Sequence, residues 1–391
     1  MRIRAAVLLL ATCLAAACTS ASPPSIAPSA SAVASATPLV TPPPPSITPA
    51  PSAAEGRPAD LFAVHFADVA TGWVGGDGVI WATSTGGSSW RRAWTGDGLV
   101  REIASFGSEV WALTAPRGDA APPVDTLLRS DDSGSTWTSR QLLSPLHRLQ
   151  AVAPGTAWGA VVPGPTKEGQ QSVVDPPSKT ADGGATWQSV TAAGPAQDVC
   201  AAGDLVWAVD GAALARSADA GRTWSAVESG LPNDSMAERW PAGSIRCAGQ
   251  AVWMLAVGGA GMSHEEYLVT RSLDAGATWR IVFGDAYFPV TPAGVTLIDY
   301  YSGDFVVVSP TVVRFVGWCP ACPSYSVTWT DDAGATSGHA ILPIPGFAGG
   351  PSGVAFPDAV HGWLVATYAD TGGILLQSSD AGASWSVVRL P

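Results

Sequence analysis

The chain is poor in charge: only 13% of its 391 residues are Asp, Glu, Lys or Arg. Two of these, Lys167 and Lys179, are its only lysines, and the net charge is -12. With no basic patch, nucleic acid and electrostatic attachment to anionic lipid are excluded as partners. The five histidines and six cysteines form no cluster with metal-ligand spacing, so no metal and no cofactor is expected. Long apolar stretches are missing too, and none reaches the roughly 18 residues that cross a bilayer. No segment sustains a helical period over three turns, which argues against a helical domain.

The N-terminus has its own composition. Arg2 and Arg4 precede the short apolar run "AAVLLLATCLAAA" and then Cys18, the order of a secretory signal. The end of this signal, "LAAAC", resembles a bacterial lipobox, with Ala15 where Leu is usual. The expectation is a signal over 1–17 and a lipid on Cys18; ordinary signal cleavage is the alternative. Residues 18–58 are then a Ser/Ala/Pro tether, including "TPPPPSITPAP", that cannot bury a core. Losing Arg2 and Arg4 leaves 18 basic against 32 acidic side chains, a net charge of -14. The chain is thus expected to be exported and held at the outer face of the cytoplasmic membrane by its lipid alone.

From residue 59 to 391 a phrase recurs: "TSTGGSSW" (83–90), "SDDSGSTW" (130–137), "TADGGATW" (180–187), "SADAGRTW" (217–224), "SLDAGATW" (272–279), "TDDAGATS" (330–337) and "SSDAGASW" (378–385). The first copy has Thr85 for the Asp, and the sixth has Ser337 for the Trp. A second signal precedes each copy, a strand-like run holding Trp73, Trp111, Trp158, Trp207, Trp253, Trp318 or Trp363. Short alternating runs bounded by Gly, Asp and Pro are strand grammar. Each repeat reads as strands A and B, the latter with its Trp, then strand C, the box and strand D. Copies start about 49 residues apart on average, the size of one four-stranded propeller blade. Seven boxes therefore predict an all-β, seven-bladed β-propeller of four-stranded antiparallel blades, closed by packing the first blade on the last.

These boxes resemble the Asp-box (BNR) repeats of sialidase-type propellers. The segments "FADVATGWVGGDGVIWATSTGGSSW" (66–90) and "FPDAVHGWLVATYADTGGILLQSSDAGASW" (356–385) resemble the repeat of the photosystem II stability/assembly factor-like propellers. The resemblance implies the fold over 61–391 and fixes activity weakly, because such propellers serve many tasks.

The box carboxylates Asp132, Asp182, Asp219, Asp274, Asp332 and Asp380 are read as structural. An Asp two places before a Gly suits a tight turn whose N–H groups the carboxylate accepts. One such Asp per blade at the rim cannot cooperate as acid and base. A sialidase needs an arginine triad and a Tyr–Glu pair; Arg101, Arg246 and Arg314 are candidates for the former, with no partner constellation for the latter. The "HEEY" of 264–267 is either a metal or acid/base cluster or a solvated loop. Cys200 and Cys247 hold matching places in successive A strands, a disulfide or two buried thiols. Cys319 and Cys322, in "CPAC", form a local disulfide or a zinc half-motif lacking its other half.

Long insertions gather on the face carrying the B–C and D–A loops. Trp240, Arg239, Tyr267, Tyr287 and Phe288 lie there, either as interface anchors or as rings packing the loops down. The expected function is non-catalytic binding of a protein or glycan by a monomeric module. The alternative is a sialidase-like glycan hydrolase.

Overall fold

The structure, a computed structural model, describes residues 60–117, 125–161, 174–231, 240–261, 264–284, 296–297, 301–318, 324–343, 347–368 and 372–391. All of them belong to the compact unit Pro45–Pro391. Cys18, the expected signal and the tether lie outside the described residues, as do Cys319, Cys322, Arg239, Tyr287 and Phe288.

The described strands make six sheets. The first runs in order through β1 (Leu61–Phe66), β2 (Gly72–Thr83), β3 (Arg91–Phe106), β4 (Glu109–Ala115), β5 (Thr126–Ser130) and β6 (Thr138–Gln141). The second contains β7 (Leu146–Ala153), β8 (Thr156–Val161), β9 (Ser178–Thr180) and β10 (Gln188–Ser189). The third is β11 (Asp198–Ala202), β12 (Leu205–Asp210), β13 (Ala213–Ser217) and β14 (Ser225–Val227). In the fourth, β15 (Ala242–Ala248), β16 (Ala251–Gly261), β17 (His264–Ser272) and β18 (Arg280–Gly284) are joined by a parallel fifth strand, β19 (Thr296–Leu297). The fifth is β20 (Tyr301–Val307), β21 (Val313–Trp318), β22 (Ser324–Thr330) and β23 (Gly338–Pro343). The sixth is β24 (Phe347–Ala355), β25 (Gly362–Tyr368), β26 (Gly372–Ser378) and β27 (Ser386–Val388).

The fold is an all-β propeller, as expected, but the seven-blade count is corrected: the blades are six sheets. The difference lies in the first sheet, which takes in two boxes. There β2 and β3 continue through the positive-φ glycines Gly78 (φ 70°) and Gly98 (φ 100°) instead of ending at them. Pairing is therefore unbroken from β1 to β6.

Tryptophan and glycine join neighbouring repeats. Trp73, Trp111, Trp158, Trp207, Trp253 and Trp363 are fully buried, whereas of the box tryptophans only Trp385 is buried and Trp90, Trp137, Trp187, Trp224 and Trp279 are partly so. The box glycines Gly134, Gly184, Gly221 and Gly276 each lie against the buried ring of the repeat before. A Cβ on Gly221 would meet Trp158 at 2.5 Å, and one on Gly276 would meet Trp207 at 2.5 Å. Both glycines also have positive φ, 87° and 88°, so space and backbone each demand the residue. A cation covers the face of four of these rings: Arg129 over Trp111, Lys179 over Trp158, Arg216 over Trp207 and Arg271 over Trp253.

The ring closes by packing the first sheet on the last, without strand exchange. Phe66 stacks on Trp363 with centroids 3.6 Å apart, and Gln377 Nε2 donates to Gly86 O at 3.0 Å. Leu61, Val64, Phe66, Trp363, Val365 and Leu375 share one buried cluster.

Candidate functional site

Seven inner segments, from β1, β3, β7, β11, β15, β20 and β24, surround an axial channel of about 610 Å³. Inner strands carry alternate side chains toward the axis, and this channel receives an unusual share of the chain's scarce charge. His65, Arg101, Glu102, His147, Arg148, Asp198, Arg246 and Asp304 all line it.

Most of these groups are paired across strands. Arg246 donates from Nη1 to Asp198 at 2.7 Å and from Nη2 to Asp304 at 2.7 Å. Arg148 reaches the same two carboxylates less closely, Asp198 at 3.7 Å and Asp304 at 3.4 Å. Asp198 also accepts the backbone N–H of Ile245 at 3.0 Å. Arg101 is bonded to Asp125, whose carboxylate accepts Leu146 N–H at 2.9 Å. Burial raises the Asp304 carboxyl, but Arg148 and Arg246 outweigh it and hold the group down at about 2. Arg148 is shifted upward, chiefly by Asp304.

Glu102 differs. Among the described residues its side chain has one hydrogen bond, from Leu149 N–H at 2.6 Å. Burial pushes its carboxyl up to about 7, with Arg148 and Arg101 opposing only in part. The histidines add no charge near neutrality: burial takes His65 down to about 4 and also lowers His147.

Arg148 sits at a β-bulge, where the register with β8 shifts between His147 and Gln150. Its φ is 56°, the left-handed region that a bulky residue enters only at a cost. The bulge turns the guanidinium into the channel, against Asp198 and Asp304.

The residues singled out from the sequence fall in three places. Arg101 and Arg246 reach the channel. Arg314 does not: it is fully buried on β21, donating to Val313 O, Thr330 O and Ala359 O and paired with Asp331 at 2.8 Å. No sequence signal marks Arg148, Glu102, Asp198 or Asp304; the bulge and its long-range pairings leave no local pattern to read. Trp240 and Tyr267 are core rings, each about 1% exposed, in clusters with Trp207 and with Trp253. Glu266 is buried and Glu265 half-buried on β17, and the described residues contain no group of three or more potential metal ligands. Cys200 and Cys247 are joined by a disulfide between the inner strands β11 and β15, with Cα atoms 6.0 Å apart.

The six box aspartates line no part of the channel. Each is bonded within its own turn. Asp132 accepts Thr136 N–H and Ser130 O–H at 2.8 Å through Oδ1, and Thr136 O–H at 2.8 Å through Oδ2. Asp182, Asp219, Asp274, Asp332 and Asp380 repeat the pattern. Hydrogen bonds of this kind from Thr136 and Ser130 lower Asp132 to about 2. Where Thr85 replaces the Asp, its hydroxyl accepts Ser89 N–H at 3.0 Å instead.

Fold and channel together define an all-β propeller with a charged axial channel. No protein-family model and no curated protein matches the sequence. Solved structures do. YCF48 bound to D1 peptide is similar with a TM-score of 0.51 at 17% identity, over 83% of this chain and 94% of its own. YCF48 from Cyanidioschyzon merolae is similar at 0.50 and 16%, over 83% and 95%. The GH74 xyloglucanase from Xanthomonas campestris gives 0.58 and 16%, over 87% of this chain but 56% of its own. The chain thus spans about half the length of that enzyme. At these identities the likeness establishes the fold alone, an all-β propeller.

Proposed function

We propose that this propeller is a non-catalytic binding module for a polypeptide partner, exported and tethered to the outer face of the cytoplasmic membrane by a lipid on Cys18. The observation that carries the reading is the state of the channel arginines. Arg101, Arg148 and Arg246 are taken up by the chain's own Asp125, Asp198 and Asp304. A sialidase-type site needs such arginines free to grip a substrate carboxylate. Support also comes from coverage: this chain accounts for nearly all of YCF48, whose solved structure holds a peptide, and for about half of the xyloglucanase. The lipid anchor rests on the signal-like residues 1–17 and the proline-rich segment after Cys18. Replacement of Cys18 by Ala is expected to move the protein from the membrane fraction to the soluble one.

One observation favours a second reading, glycan hydrolysis. Glu102 titrates near 7 while Asp304 stays ionised, a split that glycosidases use for acid and base. Parallel arrays of exported-protein peptides and of glycans decide between them. Saturable peptide binding without glycan turnover is the expected result. Turnover of a glycan that disappears in Glu102→Gln would establish the hydrolase instead.

A further inference from the structure

Three arginines, Arg101, Arg148 and Arg246, face four carboxylates, Asp125, Asp198, Asp304 and Glu102, in and beside the channel. One negative charge is left over when all are ionised. The pairing locates it. Asp125 has Arg101, while Asp198 and Asp304 share Arg246 and Arg148. Among the described residues no cation lies within ion-pair distance of Glu102, whose single hydrogen bond is to Leu149 N–H. The groups facing it from the neighbouring elements are Arg101 on β3, His147 and Arg148 on β7, Asp198 on β11, Arg246 on β15, Asp304 on β20 and His65 on β1. Both histidines are held neutral near pH 7 by burial, so neither supplies the missing charge.

We propose that the axial channel is a receptor for one basic side chain of the polypeptide partner, a lysine ammonium or an arginine guanidinium, with Glu102 as its counter-ion. This rests on the protein-binding reading above and names the chemistry that the site selects. The cavity of about 610 Å³ has room for such a side chain. Arg148 makes only long contacts, 3.4 and 3.7 Å, which leave its guanidinium room to shift between the two carboxylates as the guest enters. A mature chain of net charge -14 draws basic partners toward it over the distances at which steering acts. The arginines repel the guest little, because each already has a carboxylate partner within 4 Å.

Binding carries a proton signature. The guest cation pairs with the Glu102 carboxylate, and the fraction of Glu102 that was protonated releases its proton to solvent. With a carboxyl titrating near 7, about half a proton leaves per guest at that pH. The test is calorimetry on the full chain at pH 7 in two buffers of different ionisation enthalpy. The probes are acetylated, amidated Gly-Gly-X-Gly-Gly peptides with X as Lys, Arg, norleucine or Glu. The Lys or Arg peptide is expected to bind at least about tenfold more tightly than the norleucine peptide, with proton release. Glu102→Gln is expected to abolish both the preference and the release. Its folding is checked independently. A carboxyl raised above its ordinary value favours the folded state below that value and loses this contribution as pH rises through 7. Glu102→Gln should therefore unfold at a higher midpoint than wild type above pH 7. Equal binding of all peptides, no binding, preference for the Glu peptide, or undiminished Lys binding by a folded Glu102→Gln each overturns the proposal. Array peptides that lack a basic residue and still bind Glu102→Gln would keep the binding module and remove only this account of its channel.

Discussion

The rim and the channel of this propeller both use carboxylates, and they use them in opposite ways. At the rim, Asp132 is satisfied by residues two to four positions away. In the channel, Asp304 is satisfied by Arg246, 58 residues away, and by Arg148, 156 away. A rim carboxylate closes its own turn and needs no other strand. A channel carboxylate exists in its paired state only when the ring is assembled. Rim charge is therefore local scaffolding, repeated wherever a box is needed, while channel charge is a single tertiary object. The contrast predicts that damage to the two regions spreads over different distances.

The largest effect is expected at Asp198. This residue is buried, and its carboxylate accepts Ile245 N–H and Arg246 Nη1 from β15. Asp198→Ala leaves a buried N–H unbonded and an arginine half-paired, a loss of about 3–5 kcal/mol. Denaturant unfolding measures the loss. Hydrogen exchange measures its reach, which should include β11, β15 and β20 together. Protection lost in β11 alone would show that the channel network is no more cooperative than a turn.

An intermediate effect is expected at the rim. Ser217 is fully buried, and its hydroxyl accepts Gly221 N–H at 2.9 Å and donates to Asp219 at 2.8 Å. Ser217→Ala strands the Gly221 N–H beside Trp158, which costs about 1–3 kcal/mol. Exchange should rise within 217–224 and at the facing Trp158 strand, and stay unchanged in the channel. A channel-wide response would erase the distinction between the regions.

The same distinction governs what could be read from the sequence. The box was legible because its bonds lie within one octet: Asp, Gly and the hydroxyl residues announce the turn by themselves. The strands were legible from alternation, but alternation does not show that the most deeply buried rings sit on the second strand of each repeat and not in the box. The count of sheets was not, because whether Gly78 and Gly98 end a strand or carry it through depends on pairing with neighbours that spacing does not specify. Nor was the channel legible. Arg101 and Arg246 could be named as candidates, but Arg314 looked equivalent and instead latches β21 to Ala359 O. Arg148 reaches the axis through a one-residue bulge, and no periodicity marks a bulge. For Trp240 and Tyr267 the sequence leaves anchor and packing ring equally open; tertiary packing decides for the second, with both rings in the core.

The smallest effect tests backbone strain on both sides of the comparison. Ala275 in its box has φ 55°, and Arg148 at the channel has φ 56°. An L-residue in this region costs about 1–2 kcal/mol, against about 0.5–1 kcal/mol for the extra freedom of an unfolded glycine. Two boxes already carry Gly at the equivalent place, Gly86 (φ 64°) and Gly183 (φ 73°). Ala275→Gly keeps the bond from residue 275 N–H to Gln250 O, 3.0 Å in the native turn, and should raise stability by up to about 1 kcal/mol. Arg148→Gly relieves the same strain but removes the guanidinium from Asp198 and Asp304, so its sign should be opposite. Paired urea unfolding curves decide the matter. If both substitutions stabilise, Arg148 contributes nothing to the fold through its ion pairs. If both destabilise, the left-handed turn of the box is less strained than its φ implies.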